Sequence, residues 1–177
     1  MVFQPYIVIT GTNQPRTGQS ALIHIHTGEV TLLPNMLSPR SSHGSLLFRA
    51  TVYVFAGVVE ESAHSDTAEK LCLKRPERWV ALPKMMCKIA YSSPCLKGTI
   101  AYLFGGWGTS LCQSFNLITE AFSLLPFKTP KSGYLTTAFL YNNEIYFLQS
   151  GHMGRWQGSK DSPLLITSFS ENTNSNW

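Results

Sequence analysis

The stretch Tyr53-Val-Phe-Ala-Gly57 returns 49 residues later as Tyr102-Leu-Phe-Gly-Gly106, and that recurrence decides the fold. Weaker copies stand at Ile7-Val-Ile-Thr-Gly11 and at Tyr146-Phe-Leu-Gln-Ser150, the latter followed by Gly151. The copies begin at 7, 53, 102 and 146, so the spacings are 46, 49 and 44. A second motif keeps step with the first: Leu33-Pro34, Leu82-Pro83 and Leu125-Pro126, spaced 49 and 43. Three residues before each leucine stands Val30, Trp79 or Phe122. Two motifs in one phase mark a structural repeat, and periods of roughly 20–50 residues belong to solenoids, propellers or arrays.

Each unit reads as four short strands. A first strand is expected at Gly44–Phe48, Ala90–Ser93 and Leu135–Tyr141. The tyrosine-bearing run follows a tight turn such as Leu140-Tyr-Asn-Asn-Glu144, whose asparagines tolerate the positive φ a hairpin needs. Glycines then open a polar loop. A third strand is expected at Ser20–His26, Lys70–Leu73, Cys112–Asn116 and Leu164–Ser168. Hairpins at His26-Thr-Gly28 and Asn116-Leu-Ile-Thr119 lead to a fourth strand that ends at Leu-Pro. Four antiparallel strands every 43–49 residues is the pattern of propeller blades, not of a helical solenoid. The repeats run approximately 1–36, 37–85, 86–127 and 128–177, in a single segment spanning 1–177.

Composition agrees. The 177 residues are 44% hydrophobic but only 14% charged. Average usage is about 25% charged, and helix-rich proteins spend such residues on solvated faces. Aromatics at 12%, with 13 glycines and 10 prolines, suit strands joined by turns. Disorder and coiled coil are both excluded. The longest apolar run, Val52 to Val59, is far short of the roughly 20 residues of a membrane span. Met1-Val-Phe-Gln-Pro5 has no positive region before an apolar stretch, so no secretory leader is expected and a cytoplasmic location is. Cys72, Cys87, Cys95 and Cys112 form no CxxC and no zinc spacing, and are read as free thiols. A net charge of +4 gives no reason to expect nucleic acid.

The residues resemble the Kelch-repeat family. Met36-Leu-Ser-Pro-Arg40-Ser-Ser-His43, then Val52-Tyr-Val-Phe-Ala-Gly57, then Trp79-Val-Ala-Leu-Pro83-Lys-Met85 is similar to one Kelch repeat. Tyr102, Gly105-Gly106, Phe122 and Leu125-Pro126 form a second good copy. The outer copies are degenerate, with Thr10-Gly11 and Ser150-Gly151 for the double glycine and Val30 for the aromatic. The resemblance implies an all-β propeller segment of about four blades of four antiparallel strands, not fully closed. Gly57, Gly105 and Gly106 then supply positive φ where a Cβ would collide. Trp79 and Phe122 are expected to be buried between blades. Proline after leucine is expected to stop the outer strand. Trp177 occupies the position of Trp79 and Phe122, so the last outer strand is expected to be cut at its anchor. The first blade is expected to lack its inner strand. Such unpaired edges predict an open arc or a self-associating species, or further repeats outside the segment.

The motif residues are structural, and no GxSxG, HExxH, Walker loop or paired acidic motif occurs. His24 and His26 alternate on a strand but are too few for a metal, and His43 is read as a hydrogen-bonding turn residue. His152 and Tyr134 are the one suggestive pair near a loop. No catalysis, metal or cofactor is therefore expected. Propeller topology sends the strand two–three loops and the inter-repeat turns to one end. Those segments hold Arg16, Arg40, Lys84, Lys88, Lys128, Lys131, Arg155 and Lys160 against Glu60, Glu61, Asp66 and Asp161. The expected function is a protein-interaction module, a scaffold or substrate-recognition propeller. Arg40, Lys84, Lys88, Lys128, Lys131, Arg155 and Lys160 are its candidate contacts to an acidic segment of a partner. The alternative is a propeller enzyme acting on a sugar or small alcohol, which Kelch-fold oxidases and epimerases bring to mind.

Overall fold

The computed structural model describes residues 5–13, 15–60, 63–129, 133, 136–149, 152–157 and 164–168. The chain is all-β. It divides into two compact units, Met1–Ala90 and Tyr91–Trp177. The described residues form no helix, and none of the sheets closes on itself.

In the first unit, β1 (Tyr6–Asn13), β2 (Arg16–His24) and β3 (Val30–Leu33) make a three-stranded antiparallel sheet. The turn into β3 uses Gly28 at φ 71° and a bond from its N–H to the His24 carbonyl. A second sheet follows in chain order from β4 (Gly44–Phe48) to β5 (Thr51–Phe55). The chain then makes a separate hairpin, β6 (Val58–Glu60) with β7 (Ala63–His64), where only a polar loop was expected. It returns as β8 (Ala68–Cys72) and β9 (Val80–Ala81). Val52, Val54 and Leu71 alternate onto one face of this sheet. There they meet Leu33, Met36 and Trp79, with Val8 and Leu22 of the first sheet packed against them. Trp79 is 2% exposed and donates its indole N–H to the Pro34 carbonyl at 2.9 Å. The aromatic anchor thus lies where two successive sheets face each other, as the repeat predicts.

The second unit holds two four-stranded sheets. The first is β10 (Cys95–Lys97), β11 (Ile100–Gly106), β12 (Thr109–Asn116) and β13 (Ala121–Lys128). The second is β14 (Thr137–Tyr141), β15 (Glu144–Gln149), β16 (His152–Trp156) and β17 (Leu164–Ser168). Phe104, Phe127, Phe147 and Trp156 fill the space between them, with Phe104 and Phe147 stacked at 4.9 Å. Asn142 and Asn143 take φ 46° and 62° in the β14–β15 turn, the left-handed pair such a hairpin requires. Asn116 Oδ1 accepts from the N–H groups of Ile118 and Thr119 and shapes the β12–β13 turn.

Several expectations need correcting. The first strand of the third repeat is Cys95–Lys97, not Ala90–Ser93. Pro94 has no N–H to give a ladder, and Ile89 and Ser92 make only isolated bridges. Leu164–Ser168 is the fourth strand of its sheet, because His152–Trp156 supplies the third. The last sheet is therefore not cut at its anchor, and Trp177 lies outside the described residues. Phe122 is only half-buried, its ring 4.4 Å from Phe115, while Phe127 takes the inter-sheet position. Pro34 and Pro83 do follow the ends of β3 and β9, but β13 runs through Pro126 to Lys128. A register shift between Leu111 and Gln113 accommodates that proline, which has no donor for a regular ladder.

Candidate functional site

The turns that close β5 and β11 are sterically constrained. Gly57 has φ 96°, and a Cβ there would lie 2.6 Å from the Ser41 carbonyl oxygen. Gly105 and Gly106 have φ 54° and 142°, and a Cβ on Gly105 would lie 2.5 Å from Thr129 Oγ1. The double glycine is thus required by backbone conformation and by a close neighbour together.

Beside these turns a polar residue recurs in phase with the tyrosines: His43, Ser92 and Thr136, spaced 49 and 44. All three are neutral in their surroundings. His43 Nε2 bonds Thr10 Oγ1 at 2.8 Å, so the histidine is the hydrogen-bonding turn residue expected of it. Burial, and then the positive charge of Arg40, push its pKa down to about 4. An unfolded histidine titrates near 6.5, so between pH 6.5 and 4 the unfolded chain takes up a proton that the folded chain refuses. Stability should fall as pH falls through that window, by about 3 kcal/mol at most. Urea unfolding at stepped pH, compared with His43→Gln, checks this; equal slopes for the two proteins would contradict it.

The basic residues selected from sequence do not form one set. Arg40 is 1% exposed, with Nη2 2.6 Å from Glu69 Oε1. Its guanidinium also donates to the carbonyls of Ser38, Ala56 and Thr67 and to Thr67 Oγ1. It is an internal tie, and its reading as a partner contact is overturned by that burial. Reversing it to glutamate would set two carboxylates side by side in the interior. Arg155 is not in a loop: it sits on β16 opposite Tyr146 and Leu164, with Nη1 3.5 Å from Glu144 Oε2. Lys84 is exposed and 3.6 Å from Asp66, and Lys88 and Lys128 are exposed. Lys131 and Lys160 lie outside the described residues, as does Tyr134.

His24 and His26 have ring centroids 5.9 Å apart, and His24 Nδ1 bonds the Thr27 hydroxyl. Among the described residues no three His, Cys, Asp or Glu side chains gather at metal-binding distance. The four cysteines are free, as read from their spacing.

One feature escaped the sequence reading. Trp107 follows the double glycine and is 37% exposed, with its ring 5.6 Å from that of Tyr91. Tyr91 is held at φ 56°, and its carbonyl accepts from the Thr136 N–H at 2.9 Å. A left-handed conformation is unfavourable for a bulky side chain and needs such anchoring. The signal was present as a tryptophan placed directly after Gly105-Gly106 in a polar loop.

No family model and no curated protein matches this chain. No helix among the described residues is long and apolar enough to cross a membrane. The fold is similar to the solved structure described as "Structure of YjhT", with a TM-score of 0.78 at 12% sequence identity. The match covers 96% of this chain and 64% of that one, so the chain spans less than two-thirds of YjhT's length.

Proposed function

We propose that the chain is a Kelch-type propeller segment of about four blades that acts as a protein-interaction module with no chemistry of its own. The Tyr91–Trp107 pair is the observation that carries this reading. Two aromatic rings 5.6 Å apart stand on adjoining turns of the second unit, and one of them is open to solvent. Tryptophan and tyrosine are enriched among the residues that dominate binding energy, because they bury large area at small entropic cost. The framework under them is rigid: Gly105 is boxed in by Thr129 and Gln149, and Tyr91 is tied to Thr136. The exposed Lys128, in the same unit, adds positive charge that assists the approach of an acidic partner.

The test is partner capture by immobilised protein with Tyr91→Ala/Trp107→Ala and Lys128→Glu as parallel variants. Loss of about 2 kcal/mol or more of binding is expected for the aromatic pair, as for hot-spot residues. The lysine variant is expected to slow association and to flatten its salt dependence. Full retention of partners by the aromatic variant, at unchanged unfolding midpoint, would place docking elsewhere.

A further inference from the structure

Above the aromatic core of the second unit lies a row of three buried polar side chains. Ala138 on β14, with Ile145 and Phe147 on β15, faces the core shared with Phe104. Thr136 and Gln149 stand two residues beyond Ala138 and Phe147, so they point to that same face. They also oppose each other, because Thr137 pairs with Leu148 and the register continues by one step. On its other side Thr136 is bridged in parallel to Ser92. The Thr136 N–H donates to the Tyr91 carbonyl at 2.9 Å, and the Ser93 N–H donates to the Thr136 carbonyl at 2.8 Å. Ser92, Thr136 and Gln149 thus follow one another across three neighbouring segments, and are 5%, 1% and 2% exposed.

The protein satisfies none of the three. Among the described residues, nothing hydrogen-bonds Ser92 Oγ, Thr136 Oγ1 or Gln149 Nε2. A buried polar group without a partner is strongly unfavourable, and native interiors rarely keep one. Here three stand side by side. The Gln149 amide nitrogen lies 3.0 Å from the point a Cβ on Gly105 would occupy, so the glycine leaves it room. The position is polar in the first unit as well. His43 falls in phase with Ser92 and Thr136, its Nε2 bonds Thr10 Oγ1, and its buried Nδ1 also has no partner among the described residues. Three copies of one repeat position, in three residue types, each keep a buried polar atom unpaired.

We propose that Ser92 Oγ, Thr136 Oγ1 and Gln149 Nε2 hold one buried water molecule. Internal waters typically make about three hydrogen bonds to groups the protein leaves unmet, the number offered here. Two hydroxyls and an amide N–H suit a molecule that both donates and accepts, and the row carries no charge to balance an ion. Neighbouring strands stand about 4.8 Å apart, so a water about 2.8 Å from each hydroxyl spans the row. The water ties β14 and β15 to the segment that carries Tyr91. The site stands independently of what Tyr91 and Trp107 dock.

Oxygen-17 relaxation dispersion of the solvent counts long-lived internal waters in the whole chain and is blind to exchanging hydroxyl protons. Thr136→Val/Gln149→Leu should lower its amplitude by the share of one water. Thermal unfolding gives a second reading, because a wet and a dry row shift the midpoint in opposite directions. With a water bound, Thr136→Val removes one of its partners and should lower the midpoint, whereas Thr136→Ser keeps the hydroxyl and should hold most of it. In a dry row, Thr136→Val deletes an orphaned hydroxyl at nearly equal size and raises the midpoint. Ser92→Ala gives the same test of sign and remains if the double variant fails to fold. An unchanged dispersion amplitude, a raised midpoint in Thr136→Val or Ser92→Ala, or equal losses in Thr136→Ser and Thr136→Val overturns the proposal.

Discussion

Glu69→Ala is expected to destabilise the protein by about 3–5 kcal/mol, the range for removing one partner of a buried ion pair. Glu69 Oε1 meets Arg40 Nη2 at 2.6 Å and Oε2 accepts from the Leu37 N–H at 2.7 Å. The Ser38 N–H also faces this carboxylate, at 3.4 Å. Without Glu69 the Arg40 guanidinium stays charged in an interior that already lowers its pKa through burial. The turn preceding β4 loses its acceptor at the same time. Arg40→Met/Glu69→Leu should recover much of the loss, because an apolar pair leaves no charge to compensate. Urea unfolding of the three proteins measures both effects. A single-variant loss below about 1 kcal/mol, the scale of an exposed pair, would show that Arg40 reaches solvent.

Trp79→Ala is expected to cost about 3–5 kcal/mol, as large-to-small changes of buried aromatics do. The side chain is among the largest fully buried ones and packs with Leu33, Met36, Val52, Val54 and Leu71. Its removal leaves a cavity between two sheets and orphans the Pro34 carbonyl that its indole N–H satisfies. Phe122→Ala should cost clearly less, since Phe122 is half-buried and Phe127 holds the corresponding inter-sheet space. Thermal unfolding of both variants checks the order. Equal losses would mean that the two motif aromatics do the same work after all.

Features carried by local chemistry were legible from sequence. The second strands follow from Tyr53, Tyr102 and Tyr146 with their glycines, and the β14–β15 turn follows from Asn142-Asn143. What depends on distant partners was not. Nothing near Arg40 in sequence announces Glu69, 29 residues on, so a charge in a turn read as a surface charge. β16 was missed because His-Met-Gly-Arg-Trp has a glycine at its centre and no alternation. The structure explains that glycine, because the Phe147 ring lies where a Cβ on Gly154 would stand. The loop assignment of Arg155 failed for the same reason as that of Arg40. Charge was counted by loop, whereas Arg155 lies on a strand and faces Glu144.

Cross-strand amide and α-proton contacts measured by NMR test the repeat most directly. In each complete repeat the motif tyrosine should lie between the first and third strands: Tyr53 between Leu46 and Lys70, Tyr102 between Cys95 and Ser114, and Tyr146 between Phe139 and Arg155. The account predicts these three sets of contacts together with the Met153–Thr167 pairing that makes β17 a fourth strand. A shifted register at any one tyrosine, or Leu164–Ser168 paired beside β15, would contradict it.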